Sequence, residues 1–168
     1  MKDKLRVMLI DDDSTWLQTQ RWVLEEIGVE VVTFEEGGHI LNKIDIHQPD
    51  LLILDKVMKI DGLEIAEEAI KNRPYLPVLI MSVDARECDK IKAFTLGCID
   101  YIRKGGVGRS EFMQRILKYC HVGHLNKTLD RMTKKHTSAM HVLQRDFDTL
   151  RSGERIYGQE RRDKQRSK

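Results

Sequence analysis

The sequence lacks any apolar run long enough to cross a membrane. Its longest uninterrupted apolar stretches, such as Leu51 to Leu54 and Pro77 to Met81, are far shorter than the roughly 18 residues that indicate a membrane span. The N-terminus also lacks the long apolar region and the small-residue cleavage site of a secretory signal. We therefore expect a cytoplasmic protein without membrane insertion.

Cysteines are few, and they form no recognisable ligand pattern. Cys88, Cys98 and Cys120 are an odd number, and none belongs to a CxxC motif or to a Cys/His spacing typical of zinc. We expect reduced thiols, buried as small hydrophobic side chains, in place of a disulfide framework or a zinc site.

The chain also lacks a large excess of one charge, because 29 basic side chains face 27 acidic ones, for a net charge of +2. The distribution is uneven. Residues 121–168 carry 12 basic and 6 acidic side chains, so the end of the chain has a charge of +6 and the first 120 residues have −4. Such a basic end suits nucleic acid or an acidic partner, but a solvated helix surface is the more common explanation.

Residues 1–120 alternate short apolar runs with longer segments of helical periodicity, which predicts an α/β fold with a doubly wound, five-stranded parallel sheet flanked by five helices. The predicted strands are Leu5 to Ile10, Val29 to Phe34, Leu51 to Leu54, Pro77 to Met81 and Asp100 to Ile102. The predicted helices are 14–26, 37–47, 63–72, 86–96 and 110–120. Ser14 and Ser110 are the expected N-caps, and Gly28 and Gly97 the expected helix ends.

Beyond residue 120 the strand-like runs disappear, and residues 121–150 predict an amphipathic helical extension. Apolar residues and one histidine recur there at spacings of three, four and seven, at Leu125, Leu129, Met132, His136, Ala139, Leu143 and Leu150. This stripe fits either a coiled coil or a helix packed on its own domain, and Asp146 interrupts it. Residues 151–168 predict a basic tail without regular structure, since Gly153 and Gly158 interrupt a helix.

The residues that carry chemistry stand where the predicted strands end. The first strand leads into Asp11-Asp12-Asp13, the third into Asp55, the fourth into Ser82, and the fifth through Tyr101 to Lys104. The carboxyl ends of parallel strands form the ligand edge of such a sheet. Carboxylates gathered there repel one another unless a cation neutralises them, and their oxygen ligands suit Mg²⁺.

A metal beside a lone aspartate, with a lysine and a hydroxyl within reach, provides the groups needed to transfer a phosphoryl group onto that aspartate. Asp55 would attack phosphorus, and charge would spread over three phosphoryl oxygens. One oxygen would be neutralised by Mg²⁺ and another by Lys104, and the third would accept a hydrogen bond from the Ser82 hydroxyl. The residues therefore predict a phosphoacceptor site centred on Asp55.

The sequence also resembles the receiver domain of two-component response regulators, the chemotaxis-regulator-like fold, over about residues 3 to 120. Several motifs carry the resemblance, namely Val7-Met8-Leu9-Ile10-Asp11-Asp12-Asp13, Leu51-Leu52-Ile53-Leu54-Asp55, Met58 with Asp61-Gly62-Leu63-Glu64, Pro77-Val78-Leu79-Ile80-Met81-Ser82, and Gly97-Cys98-Ile99-Asp100-Tyr101-Ile102-Arg103-Lys104. The resemblance implies the strand order 2-1-3-4-5.

The resemblance implies roles for the acidic residues. Asp12, Asp55 and the Val57 carbonyl would coordinate Mg²⁺ directly, and Asp11 would contribute through water. Asp55 would receive the phosphoryl group from a histidine kinase or a phosphotransfer protein, with the domain itself supplying most of the catalysis.

The resemblance also implies a switch. Ser82 would move toward the acyl phosphate, and Tyr101 would turn inward and remodel the face formed by the fourth helix, the fifth strand and the fifth helix. Phosphoryl contacts to Ser82 and Lys104 in one arrangement alone would shift the population toward it. This face or the C-terminal helix would bind a downstream protein.

Five positions depart from the family pattern. Gly105 stands where a proline with a cis peptide usually follows the lysine, and Lys59 stands where a proline commonly follows the methionine. Val83 occupies a site that usually holds a small residue. Val57 and Asp84 lie where side chains influence hydrolytic water, so we expect a changed lifetime of the phosphorylated state.

We therefore expect a phosphorylation-activated signalling switch, with no enzymatic activity besides its own phosphorylation and aspartyl-phosphate hydrolysis. Its output would be partner binding or homodimerisation through the extension. Two alternatives stay open, namely a transcriptional regulator that binds nucleic acid through its basic end, and a receiver-fold scaffold that is never phosphorylated.

Overall fold

The computed structural model describes the backbone of residues 4–166 and the side chains of residues 4–146 and 148. Strands and helices alternate along this part of the chain. The strands are β1 (Arg6–Ile10), β2 (Glu30–Phe34), β3 (Leu51–Asp55), β4 (Val78–Ser82) and β5 (Asp100–Arg103). The helices are α1 (Ser14–Glu25), α2 (Ile40–His47), α3 (Gly62–Asn72), α4 (Glu87–Leu96) and α5 (Arg109–Arg166).

The five strands form one parallel sheet in the order β2-β1-β3-β4-β5, which confirms the predicted fold and strand order. In the register of the sheet, Val7 lies opposite both Val31 and Leu51, and Asp55 lies opposite Met81. All residues of β3 and β4 are buried because helices cover both faces. The ends of β1 and β3 therefore meet at one edge.

Two apolar layers hold the sheet between its helices. On one face, residues of α2, α3 and α4 pack on the sheet, including Ile40, Ile44, Ile65, Ala69 and Ala93. On the other face, residues of α1 and the first turns of α5 do so, including Leu17, Leu24, Phe112, Ile116 and Cys120. Cys98 and Cys120 are buried, as predicted, whereas Cys88 is exposed, contrary to the prediction; all three are free thiols.

The predicted helix ends at Gly28 and Gly97 are confirmed, whereas the predicted N-caps Ser14 and Ser110 are wrong. Gly28 and Gly97 take the left-handed conformation that follows many helices, with φ of 81° and 99°. The N-cap of α1 is Asp13, not Ser14, since its carboxylate accepts from the amides of Thr15 and Trp16 and its charge favours the helix N-terminus. Ser110 lies inside the first turn of α5, which begins one residue earlier.

Helix α5 is longer than predicted. The sequence predicted a helix over 110–120, a separate extension, and an end of regular structure near residue 150, whereas one helix runs from Arg109 to Arg166. Gly153 and Gly158 cost about 1 kcal/mol each relative to alanine but keep the backbone N–H that a helix needs. No helix among residues 4–166 has the length and apolar character that a bilayer span requires.

The chain divides into two compact units, Met1–Thr128 and Leu129–Lys168. The first unit thus extends past the domain boundary predicted at residue 120. In the second unit, Leu129, Met132 and Leu143 of the predicted stripe are each more than 60% exposed. The coiled coil within 121–150 stays a prediction. The backbone of 151–166 is helical, contrary to the predicted lack of regular structure, whereas all side chains of 151–168 lie outside the described residues.

A buried charge cluster explains why the first unit includes residues beyond 120. Asp50, at the start of β3, is 2% exposed, and one of its carboxylate oxygens lies 2.5 Å from Nζ of Lys127. The Lys127 ammonium also donates to the Gln48 carbonyl at 2.7 Å, and His124 Nδ1 lies 3.4 Å from Asp50. Gly123 permits this approach, since a Cβ there would lie 1.7 Å from the Asp50 carbonyl oxygen.

We expect Lys127→Met to lower the free energy of unfolding by about 3 kcal/mol, because it leaves the Asp50 carboxylate buried without its cation. Urea denaturation with a constant slope measures this loss. The double variant Lys127→Met with Asp50→Asn should recover most of it, since an amide carries no charge to compensate.

The matched control is Lys134→Met, which removes the exposed partner of Asp130 four residues earlier in the same helix. This change should cost well under about 1 kcal/mol. Equal losses at positions 127 and 134 would contradict a special role for the buried pair.

Candidate functional site

Asp11 and Asp55 form the base of the site at the carboxyl edge of the sheet. Asp11 directly follows β1 and is 0% exposed, and Asp55 ends β3 and is 5% exposed. Backbone hydrogen bonds fix both segments, from Asp11 N to the Phe34 carbonyl at 3.1 Å and from Lys56 N to the Met81 carbonyl at 2.8 Å. The sheet therefore holds two buried carboxylates side by side.

Lys104 supplies the positive charge between them. Its Nζ lies 2.5 Å from an Asp11 carboxylate oxygen and 2.8 Å from an oxygen of Asp55. Its backbone N–H donates to the Ser82 carbonyl at 2.8 Å, which anchors the segment after β5 to the end of β4. The Trp16 ring covers the ammonium, with 4.6 Å between Nζ and the ring centroid.

Burial and ion pairing oppose each other in this cluster. Burial raises the pKa of Asp11, and the hydrogen bond from Lys104 offsets only part of that effect. Burial disfavours the charged form of Lys104, yet its hydrogen bonds to Asp11 and Asp55 outweigh burial and raise its pKa. Lys104 therefore stays a cation, and the two acids together leave the cluster short of positive charge.

The acidic cluster fits a small divalent cation. Asp11, Asp12 and Asp55 each offer one carboxylate oxygen, and these three oxygens lie within 4.8 Å of one another. Asp12 is exposed, so water has access to that side of the cluster. Carboxylates with retained waters are the ligands that Mg²⁺ prefers. Val57 N donates to Asp55 at 2.9 Å, which places Val57 beside the cluster, and ligation by its carbonyl stays a prediction.

Ser82 ends β4, and Tyr101 belongs to the neighbouring strand β5. Ser82 is 0% exposed, and its Oγ has no hydrogen-bond partner among the described residues. Tyr101 is 7% exposed, so its ring is turned inward, and its hydroxyl donates to the Asp84 carbonyl at 3.3 Å. An unpaired buried hydroxyl is costly, which marks Ser82 as a group prepared for a ligand.

Two glycines shape the segments beside the site. A Cβ at Gly62 would lie 2.0 Å from the Asp55 carbonyl oxygen, so only glycine lets the start of α3 approach Asp55 so closely. Gly105 has a φ of 72°, a left-handed conformation that proline cannot take. The replacement of proline by glycine after Lys104 thus gives this loop its own shape.

One charged group close to the site has no signal in the sequence. Lys56, the residue after Asp55, extends between Asp61 and Asp89, and its side chain is 12% exposed. A lysine that follows an aspartate has no local signature that reveals such a contact, because Asp89 lies 33 residues away in α4. Only the packing of α4 against the loop brings the two charges together.

The family model for the response regulator receiver domain matches residues 7–117. Among curated proteins, the chain is 29% identical to the alkaline phosphatase synthesis transcriptional regulatory protein PhoP of Bacillus subtilis over 59% of this chain and 42% of PhoP. It is 33% identical to the DNA-binding transcriptional regulator NtrC of Klebsiella pneumoniae over 57% of this chain and 21% of NtrC. The chain therefore spans less than half the length of these relatives.

Solved structures show the same architecture. A CheY-like receiver domain protein of Methanospirillum hungatei is 25% identical, with a TM-score of 0.66 over 73% of this chain and 98% of that chain. The response regulator TrrA of Thermotoga maritima, solved in complex with Mg²⁺-BeF, is 25% identical, with a TM-score of 0.61 over 68% of this chain and 98% of that chain.

We expect Mg²⁺ to change the fluorescence of Trp16. A cation that binds Asp11 and Asp55 competes with Lys104 for their charge, and the Lys104 ammonium is the group that lies over the Trp16 ring. A titration of emission against MgCl₂ at constant ionic strength measures the response.

Asp12→Ala should remove or strongly weaken this response, whereas Glu35→Gln, which neutralises an acid outside the three-carboxylate cluster, should keep it. Identical titrations of the parent and of Asp12→Ala would contradict the metal assignment.

Proposed function

The chain belongs to the response regulator receiver domain family, a family of signalling domains, and on this premise we propose that it is a phosphorylation-controlled switch with Asp55 as phosphoacceptor. The observation that carries the proposal is the Lys104 ammonium bound to both Asp55 and Asp11, with a third carboxylate alongside. The proposed donor is a histidine kinase or a phosphotransfer protein in the cytoplasm.

In the proposed step, an Asp55 carboxylate oxygen attacks phosphorus, and the bond between phosphorus and the donor nitrogen breaks. The donor imidazole leaves with its electron pair and takes up a proton, and Asp55 becomes an acyl phosphate. The Val57 amide already donates to one Asp55 oxygen at 2.9 Å, which orients the carboxylate. Catalysis then consists of positioning and charge neutralisation.

Lys104 would shift its hydrogen bond from Asp55 to a phosphoryl oxygen, because the attack consumes the negative charge that Asp55 offers it. Bound Mg²⁺, held by Asp11, Asp12, Asp55 and the Val57 carbonyl, would supply further neutralisation of the phosphoryl oxygens. The unpaired hydroxyl of Ser82 would gain its missing partner from the same group. Each interaction is stronger with phosphate present than without it, which is the condition for a population shift.

The output surface in this proposal includes the exposed stripe on α5. Within the second unit, Leu129, Met132 and Leu143 are 61%, 64% and 63% exposed, at spacings typical of one helix face. A long isolated helix gains little stability from its backbone alone and needs a partner for its apolar face. We propose that a second copy of the chain or a downstream protein covers this stripe, besides contacts through the face of α4, β5 and α5.

Binding of nucleic acid through the basic residues beyond 120 stays an alternative prediction. The relatives PhoP and NtrC are named as transcriptional regulators, and NtrC as DNA-binding, but the matched segment is under half of each protein. The scaffold alternative makes the opposite prediction for chemistry, since such a chain takes up no phosphoryl group.

Incubation with Mg²⁺ and a small phosphodonor should add the mass of one phosphoryl group to the intact chain. Asp55→Asn should add none, because an amide is not a nucleophile toward phosphorus. Lys104→Met should slow the reaction by roughly 10²-fold, the usual effect of removing one group that stabilises developing charge. Mass spectrometry over time measures all three, and a parent chain that gains no mass would leave the scaffold alternative in place.

Leu129→Lys should weaken self-association by at least about tenfold, because a buried seam would have to accommodate an unpaired ammonium. Sedimentation equilibrium at several concentrations, with and without phosphodonor, gives the mass of the assembly. The matched control is Gln144→Lys, which adds the same charge outside the stripe. A parent that stays monomeric at all concentrations would instead direct the search to a downstream protein.

A further inference from the structure

Lys56 joins three segments that surround the phosphoacceptor. Its backbone N–H is bonded to β4 through the Met81 carbonyl, and its Nζ lies 3.4 Å from Asp61 and 3.8 Å from Asp89. Asp61 is also the N-cap of α3, where its carboxylate accepts from the Leu63 amide at 2.8 Å. One cation thus connects the end of β3 to the first turns of both α3 and α4.

Asp89, one of the two acids that Lys56 contacts, is a buried carboxylate. It lies in the first turn of α4, is 3% exposed, and receives a hydrogen bond from Arg86 Nε at 2.9 Å on its other oxygen. The Arg86 side chain is itself 57% exposed and screened by water. Lys56, whose side chain is 12% exposed, is therefore the more shielded of the two cations beside Asp89, and its loss leaves the buried Asp89 charge to the exposed Arg86 alone.

The same two charges act on the switch tyrosine. The Tyr101 ring is turned inward, and its hydroxyl donates to Asp84, five residues before Asp89 in the segment that leads into α4. Burial is the main cause that raises the pKa of Tyr101, and the neighbouring Ser82 hydroxyl is the main cause that opposes it; the Asp89 charge raises this pKa further and the Lys56 charge lowers it. The hydroxyl is thus within electrostatic reach of both members of the pair.

We propose that Lys56 is a positioning residue, whose ion pair with Asp89 holds the start of α4 in the arrangement with Tyr101 turned inward and thereby favours the phosphorylated state. The inference rests on the proposed function of Asp55. It adds to that function a pair outside the carboxylate cluster, which sets how strongly phosphate at Asp55 and the position of α4 are coupled.

The physical basis is a difference in interaction energy between two arrangements. The pair contributes only while α4 stays close to the loop after β3, so it biases the equilibrium toward that arrangement. When the arrangement that binds phosphate best is less populated, the apparent affinity falls in proportion. Loss of either partner should therefore weaken the binding of a phosphate mimic at a site that neither side chain needs to touch.

The experiment measures the affinity of the full chain for beryllofluoride at saturating Mg²⁺, with Trp16 fluorescence as the signal. Lys56→Met and Asp89→Asn should each weaken beryllofluoride binding by about threefold or more. The double variant should bind no more weakly than the single variant with the lower affinity, because the effects of two contacting residues are not additive. The affinity for Mg²⁺ alone should stay within about twofold of the parent, since neither residue belongs to the carboxylate cluster.

The variant Asp89→Asn distinguishes two explanations for a change in anion affinity, namely loss of the Lys56–Asp89 ion pair and a long-range effect of the Asp89 charge. Removal of a negative charge near an anion site should tighten anion binding if the long-range field alone matters, whereas the proposed pair predicts weaker binding. Glu87→Gln is the matched control, because it removes an exposed acid from the same turn of α4 without affecting Lys56. Tighter or unchanged binding in Asp89→Asn would overturn the proposal.

Hydrogen exchange supplies a second measurement that does not depend on ligand. Amides in the first turn of α4 should exchange faster in Lys56→Met and Asp89→Asn, and at the parental rate in Lys56→Arg, which keeps a cation in place. If the parent binds beryllofluoride but these variants match it in both measurements, only the ion-pair proposal fails. A parent that does not bind beryllofluoride would overturn both this inference and the phosphoacceptor role of Asp55.

Discussion

The ammonium of Lys104 between Asp11 and Asp55 is the interaction on which the rest of the site depends. Two carboxylates that are nearly inaccessible to water cannot stay charged side by side without a cation between them. The fold supplies that cation from a segment 49 residues after Asp55, and it fixes the segment through a backbone bond to β4. Parallel strands that end at one edge are the reason why residues so far apart in sequence meet.

This cluster is held in a state that another cation or a phosphoryl group can change. One lysine shares its charge between two acids, and a third acid faces water beside them. At the same edge, Ser82 keeps a buried hydroxyl without a partner among the described residues. A protein that only needed stability would fill such a site with apolar side chains. Excess negative charge and an unpaired donor together mark a place built for a ligand with both charge and oxygen atoms.

Sequence reasoning found the parts of the molecule that periodicity and strand ends encode. Buried parallel strands have nearly continuous apolar sequences, so β3 and β4 were placed to within a residue, and the side chains after them identify the edge where Asp11, Asp55 and Lys104 meet. Helix limits were less accurate, because Asp13 and Ser14 are both good caps and only geometry decides between them. A helix over 121–150 was predicted, but its continuity with α5 and its extension beyond residue 150 were not, since the change of pattern at residue 120 and the two glycines Gly153 and Gly158 resemble helix ends.

Three buried or half-buried lysines show why composition cannot separate a charge at a candidate site from a structural charge. Lys104, Lys56 and Lys127 each compensate a buried aspartate, and each joins segments distant in the chain. What distinguishes them is the surroundings of the pair. At Asp50 the carboxylate is sealed by Lys127 and by the Arg6 amide at 2.8 Å, with no open acid nearby. At Asp55 an exposed acid and an unpaired hydroxyl adjoin the pair. Lys56 lies between these extremes, because its partner Asp89 is buried but belongs to α4, the helix that the proposed switch would reposition. Exposure and unsatisfied polar groups therefore assign a role to each lysine where sequence position does not.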